Sequence, residues 1–179
     1  MKELSLNILD VAKNSVHAGA SKIKISIDTD SEGILTVTID DNGCGMDEEM
    51  VKNVTDPFCT TRTTRKVGLG LPLLKMAAEQ TGGSLSITSS VKKGNSGTKL
   101  HAVFDTKSID CMPMGDIIST VCVLISGSPE IDFEFSDRTP TRCVELKTEE
   151  LREVLGDISL AEPEIQAWMS EYLKEQYLQ

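Results

Sequence analysis

Val37-Thr38-Ile39-Asp40-Asp41-Asn42-Gly43-Cys44-Gly45-Met46 is an alternating apolar run that ends in two acids and a glycine pair. Alternation of period two predicts a strand with one buried face, and the glycines predict a sharp turn behind the acids. A second glycine pair follows in Val67-Gly68-Leu69-Gly70-Leu71, after the basic segment Thr60-Thr61-Arg62-Thr63-Thr64-Arg65-Lys66. It opens a helical pattern, so exposed N–H groups and the positive end of a helix dipole stand ready for an anion.

Ahead of this strand, Leu4, Leu6, Ile8, Leu9, Val11, Ala12 and Val16 recur at helical spacing up to His17, and Ala18-Gly19-Ala20-Ser21 supplies the stop. Residues 22–28 and 34–40 alternate about an Asp30-Ser31-Glu32-Gly33 turn, which predicts a β-hairpin. Asp47 to Val54 reads as a short helix with acids in its first turn. Leu69 to Thr81 reads as a longer one; Pro72 falls in its first turn, where a missing N–H is harmless, and Gly82-Gly83 ends it. Residues 84–89 and 97–104 form a second alternating pair. The expected fold class is α/β, an α+β two-layer sandwich of four strands in two hairpins with helices over one face.

Residues 108–116 read as a connector. Beyond it, 117–125, 131–135 and 142–146 are expected to be strands, 148–155 a helix capped by Thr148, and 163–177 a second helix. This divides the chain into residues 1–107 and a small α+β appendage, 108–179. No internal repeat or low-complexity segment is present.

Charge is divided along the same line. Residues 1–107 hold 13 Lys/Arg and 13 Asp/Glu, residues 108–179 hold 5 and 15, so the net charge of −10 belongs to the second part. A surface this acidic repels phosphate backbones, which excludes nucleic acid as its expected partner and leaves a docking surface for a basic protein, a homodimer contact or a merely solvated helix face as readings. The five cysteines, 44, 59, 111, 122 and 143, are odd in number and lack a C-x-x-C pair, against both a disulfide framework and a zinc site. No apolar stretch reaches the ~18 residues of a membrane span, and the first residues lack a signal-peptide pattern, so the expected location is cytoplasmic.

Candidate chemistry begins on the first helix. Asp10 and Asn14 stand four apart on one helical face, and so do Lys13 and His17 on an adjoining strip. An Asn oxygen can hold Mg²⁺ and an Asp can align an attacking water or hydroxyl. Each motif alone is common. Their order is what points to a nucleotide: helix with Asn, strand ending in D-x-G-x-G, basic loop, G-x-G opening a helix, then Gly97-Thr98 entering a strand.

In that order the chain resembles the GHKL superfamily with its Bergerat ATP-binding fold, shared by sensor histidine kinases, type II topoisomerases, mismatch-repair ATPases and anti-sigma serine kinases. The resemblance covers residues 1 to about 106 and implies ATP and Mg²⁺ as ligands. By it, Asn14 is the metal-binding Asn, and Asp41 accepts a hydrogen bond from the adenine amino group beside Gly43, Gly45 and Met46. Asp56 to Arg62, with Phe58, Thr61 and Arg62, matches the F-box. Arg65 and Lys66 join Arg62 as phosphate candidates in the lid, Gly68, Leu69, Gly70 and Leu71 match the second glycine box, and Thr98 belongs to the last box.

Vigorous hydrolysers of the family carry Glu where this chain has Asp10, one methylene shorter, so slow hydrolysis is expected. The lid of about a dozen residues is most similar to the histidine kinase branch, while Ala18-Gly19-Ala20 is similar to the mismatch-repair branch. Neither His17, in a helix, nor His101, in a strand, suits a phosphoacceptor, and no stretch ahead of Asn14 reads as a two-helix dimerisation unit. Three functions follow: transfer of the γ-phosphoryl of ATP to a partner protein in signalling or regulation, an ATP-hydrolysing conformational switch, or a regulatory module that binds ATP without chemistry.

Overall fold

The computed structural model describes residues 3–55 and 70–179. In chain order they form α1 (Leu4–His17), β1 (Lys22–Thr29), β2 (Ile34–Asp41), α2 (Glu48–Asn53), α3 (Gly70–Gln80), β3 (Ser84–Ser90), β4 (Gly97–Asp105), α4 (Ile117–Gly127), β5 (Asp132–Thr139), β6 (Arg142–Lys147), α5 (Thr148–Leu155) and α6 (Pro163–Tyr177). The strands make one mixed sheet in the order β3-β4-β2-β1-β5-β6, antiparallel except for the parallel pair β1 and β5.

Register explains why one face is largely apolar. Ile25 lies opposite Ile39 on one side and Phe135 on the other, and Ile39 lies opposite Leu100. Ile23, Ile27, Val37, Ala102, Phe104, Phe133, Val144 and Leu146 join them in a single buried core. Each fully buried Ile, Val or Phe contributes about 1.5–3 kcal/mol. The opposite face carries the intervening polar residues, tied by surface ion pairs such as Lys22 to Glu134 (2.6 Å) and Lys99 to Asp40 (3.6 Å). The Lys22 ammonium holds the Glu134 carboxyl below its ordinary range.

α1 packs between α3 and α4, and α6 packs on α4 and β6. α1 has no side-chain cap at its start; instead Leu4 N–H donates to Pro113 O (3.0 Å) and Ser5 N–H to Met114 O (2.8 Å). The connector after β4 therefore satisfies two of the donors that a helix start leaves orphaned. At the other edge, Gln176 of α6 pairs with the backbone of Glu145, accepting from its N–H (2.9 Å) and donating to its carbonyl (3.1 Å). That amide occupies a place where a further strand would bond.

Two sequence expectations are corrected. Residues 117–125 were expected as a strand because the run is rich in Ile and Val; they form α4. Asp116 caps it, accepting from Ser119 N–H (2.9 Å) and from Ser119 Oγ (2.6 Å), which holds its carboxyl below the usual range. Ile117, Thr120, Val121, Leu124 and Ile125 are buried at helical spacing, so packing on two helices overrides β propensity. Thr148 does not cap α5. It is the first helical residue, fully buried, and its Oγ accepts from Phe133 N–H (2.8 Å). The strand expected at 131–135 runs on to Thr139, and α1, β1, β2, β3, β4, β6 and α6 lie within a residue or two of their expected bounds. Among the described residues, no helix is long and apolar enough to cross a membrane.

Because β5 lies beside β1 in the interior of the sheet, loss of the C-terminal strands would uncover the Ile23–Ile25–Ile27 row. Urea unfolding followed by Trp168 fluorescence on α6 and by far-ultraviolet circular dichroism is expected to give coincident transitions. Two separated transitions would show that residues 108–179 unfold on their own.

Candidate functional site

α1, the end of β2, the start of α3 and the β3–β4 hairpin enclose a cavity of about 530 Å³. Its polar lining includes Asn14, Ser15, His17, Asp41 and Thr98; Val11, Ile39, Leu71, Ile87 and Leu100 make the apolar wall. A mostly apolar cleft with a few placed polar groups suits a flat heteroaromatic ring with a polar edge.

Asp41 is the last residue of β2, and both its oxygens are fixed. Ser15 Oγ donates to Oδ2 at 2.5 Å, and Gly43 N–H donates to Oδ1 at 2.9 Å. An ionised carboxylate has about four acceptor positions, so each oxygen retains one for a ligand. The neighbouring Asn42 turns the other way. Its Oδ1 accepts from Ser21 N–H and Lys22 N–H, both at 2.9 Å, which pins the turn to the start of β1.

The glycines of this turn serve close packing. Gly45 has φ +71°, and a Cβ there would lie 1.9 Å from the Ser90 carbonyl oxygen. Gly97 brings the strand that carries Thr98 against the Asp41 carbonyl, 2.1 Å from where a Cβ would stand. Ser89 knits the same corner: it accepts from Met46 N–H (2.8 Å), donates to Gly97 O (2.8 Å) and lies 2.8 Å from Thr98 Oγ1.

The sequence-predicted residues fall as follows. Asn14, Asp41, Gly45, Met46, Leu71 and Thr98 line the cavity. Gly43 stands behind Asp41, and a Cβ there would lie 2.9 Å from that of Ala18. Asp10 is exposed and outside the cavity lining, beside the first residue of α3: a Cβ on Gly70 would lie 3.2 Å from that of Asp10. Phe58, Thr61, Arg62, Arg65, Lys66, Gly68 and Leu69 lie outside the described residues. His101 faces the open side of the sheet, its Nδ1 3.2 Å from Thr38 Oγ1. Sequence reasoning missed Ser15. The available signal was a small polar residue on the otherwise apolar stripe Ile8, Val11, Ala12.

Residues 1–108 match the model of the family described as "Histidine kinase-, DNA gyrase B-, and HSP90-like ATPase". The chain belongs to that family. Membership bears out the resemblance to the GHKL superfamily and makes the matched region an ATP-binding domain of the histidine kinase-like type.

Among curated relatives, the chain is 35% identical over 89 residues to the signal transduction histidine-protein kinase AtoS of Escherichia coli, covering 50% of this chain and 14% of that protein. It is 37% identical over 90 residues to sporulation kinase D of Bacillus subtilis, covering 49% and 17%. The chain thus spans less than a fifth of the length of these relatives. The same fold recurs in the Aquifex aeolicus MutL ATPase domain complexed with ADP, with TM-score 0.54, 15% identity and coverage of 87% of this chain and 69% of that one. It recurs also in the N-terminal domain of a DNA repair protein, with TM-score 0.57 and 16% identity over 82% and 52%.

Since Gly45 admits no side chain, Gly45→Ala is expected to lower stability by more than about 2 kcal/mol through strain and overlap with Ser90. Urea denaturation monitored by circular dichroism measures it. An unchanged midpoint would contradict the packing.

Proposed function

We propose that the chain binds Mg-ATP in the cavity between α1, β2 and α3 and passes the γ-phosphoryl group to a partner protein. The observation that carries this is the Asp41 carboxylate, held by Ser15 and Gly43 N–H at the apolar end of the cleft. An adenine amino group can donate to it, whereas the six-position oxygen of guanine would meet it as a second acceptor. The ring would lie on Ile39, Ile87 and Leu100.

The triphosphate would run from there towards the N-terminus of α3, where N–H groups and the dipole favour an anion. Arg62, Arg65 and Lys66 are the proposed phosphate cations, with Arg the better fork for a γ-phosphate. Asn14 lines this path with one neutral oxygen, and among the described residues no group of three His, Cys, Asp or Glu side chains could hold an ion. That donor set fits Mg²⁺, which usually takes few protein oxygens and completes its shell with phosphate and water. When bound, the ion would neutralise charge on the β- and γ-phosphates.

Asp10, beside the start of α3, stands where it could orient an attacking group. Its short side chain suits a partner hydroxyl or imidazole brought close better than a distant water. Phosphoryl transfer rests chiefly on positioning and charge neutralisation, so the chemistry does not demand a strong base. We place the protein in the cytoplasm, where ATP is supplied.

Asp41→Asn keeps the shape and removes the charge, and is expected to weaken ATP by more than about 1 kcal/mol, roughly fivefold, in titration calorimetry. Equal affinity would remove Asp41 from adenine recognition. Incubation with γ-labelled ATP and extract is expected to label a partner protein. Free labelled phosphate without a labelled protein would favour the hydrolytic switch, and neither product would leave binding alone.

A further inference from the structure

A second cavity, of about 610 Å³, lies at the opposite ends of the same strands, under the connector that runs from β4 to α4. Leu4, Ile27, Leu35, Met112 and Ile118 give it an apolar floor and roof. Its polar part is a group from three elements: Asp137 of β5, Arg142 of β6 and Tyr177 of α6.

Asp137 lies on the core face of the sheet, opposite Ile27 and Val144, and is 6% exposed. Tyr177 Oη donates to its Oδ2 at 2.6 Å. Burial, then this hydrogen bond, push the phenol far above its ordinary range, so it remains a donor. The second oxygen, Oδ1, has Arg142 Nη2 at 3.8 Å, too far for a hydrogen bond. The Arg142 guanidinium lies over the Tyr177 ring at 4.7 Å from its centroid, and its Nε is buried without an acceptor among the described residues. A carboxylate and a guanidinium thus stand side by side on an apolar cavity, neither saturated by the other. Such groups usually complete their hydrogen bonds, because a buried orphan is costly.

What would complete both at once is a molecule carrying an acceptor anion and a donor cation a few bonds apart, with an apolar body. A phosphate is a poor match, since the one arginine is offset by Asp137 and by Asp116 at the rim. A pure hydrocarbon would leave the half-buried guanidinium and the buried carboxylate with only their 3.8 Å ion pair and no further hydrogen bond. We infer that this cavity binds a small zwitterion, an α-amino acid with an apolar side chain, its carboxylate on Arg142 and its ammonium on Asp137. The site also touches α1: Leu4 lines it, and Pro113 and Met114 of its wall cap the helix that carries Asn14. The wall of this cavity thus also holds the start of the helix that borders the other one.

The test uses the full chain without nucleotide and L-leucine as probe, followed by ligand-observed NMR and calorimetry. Saturable binding is expected below about 10 mM, with 4-methylpentanoate, which lacks the ammonium, and 3-methylbutylamine, which lacks the carboxylate, at least about tenfold weaker. Asp137→Asn, which can still accept from Tyr177, and Arg142→Lys, which keeps the charge but loses the fork, are each expected to weaken L-leucine by a similar factor. ATP affinity, measured separately, reports on the other cavity and stands or falls independently. Absence of saturable binding, affinity for either half-molecule equal to that for L-leucine, or undiminished binding to either folded variant would overturn the inference.

Discussion

The burial of one face of α1 against the sheet is the constraint from which the rest of the molecule follows. Leu4, Ile8, Val11 and Ala12 are at most 5% exposed, and they press the helix onto the isoleucine row of β1 and β2. Once that face is fixed, 3.6-residue periodicity leaves no freedom to the adjoining strip. Asn14 must border the cleft, Ser15 must reach Asp41, and Asp10 must lie beside the start of α3. The same helix is held at its first turn by the connector from the C-terminal segment. The connector that leads to the last two strands thus helps to position the cleft.

Most of this was legible because amphipathic period and turn chemistry agree locally. α1 and the β1–β2 pair show clean spacings bounded by Gly19 and by Asp30 to Gly33, and nothing in the tertiary structure opposes them. Residues 117–127 were illegible for the opposite reason. Their Ile and Val content favours a strand, while the Asp116 cap and burial against α1 and α6 decide for a helix. Continuity of the sheet was equally hidden, since the parallel pairing of β1 with β5 joins residues more than a hundred apart and leaves no short-range signature.

At the cleft, the types of the polar residues could be read, but not their mutual support. Asp41 was visible as an acid after a strand; that Ser15 and Gly43 N–H hold both its oxygens is a fact of tertiary geometry. The glycines were read as room for a base, and the structure gives them a further task, the close approach of the β3–β4 hairpin. The acidity of residues 108–179 also separates into parts. Asp116 caps a helix, Asp132 is bound by Arg152, Glu134 by Lys22 and Asp137 by Tyr177. Of the exposed acids of α5 and α6, Glu149 pairs with Lys22, Glu150 with Lys147 and Glu171 with Lys174, and the others remain as solvated charge.

The proposed function requires that a fixed carboxylate select the base of a nucleotide. Parallel calorimetric titration of the wild-type chain with ATP and with GTP, both with Mg²⁺, tests it most directly. Saturable binding of ATP, with GTP weaker by at least about tenfold, is the predicted result, on the scale of a hydrogen bond replaced by a repulsive contact. Equal affinities, or no binding of ATP, would contradict it.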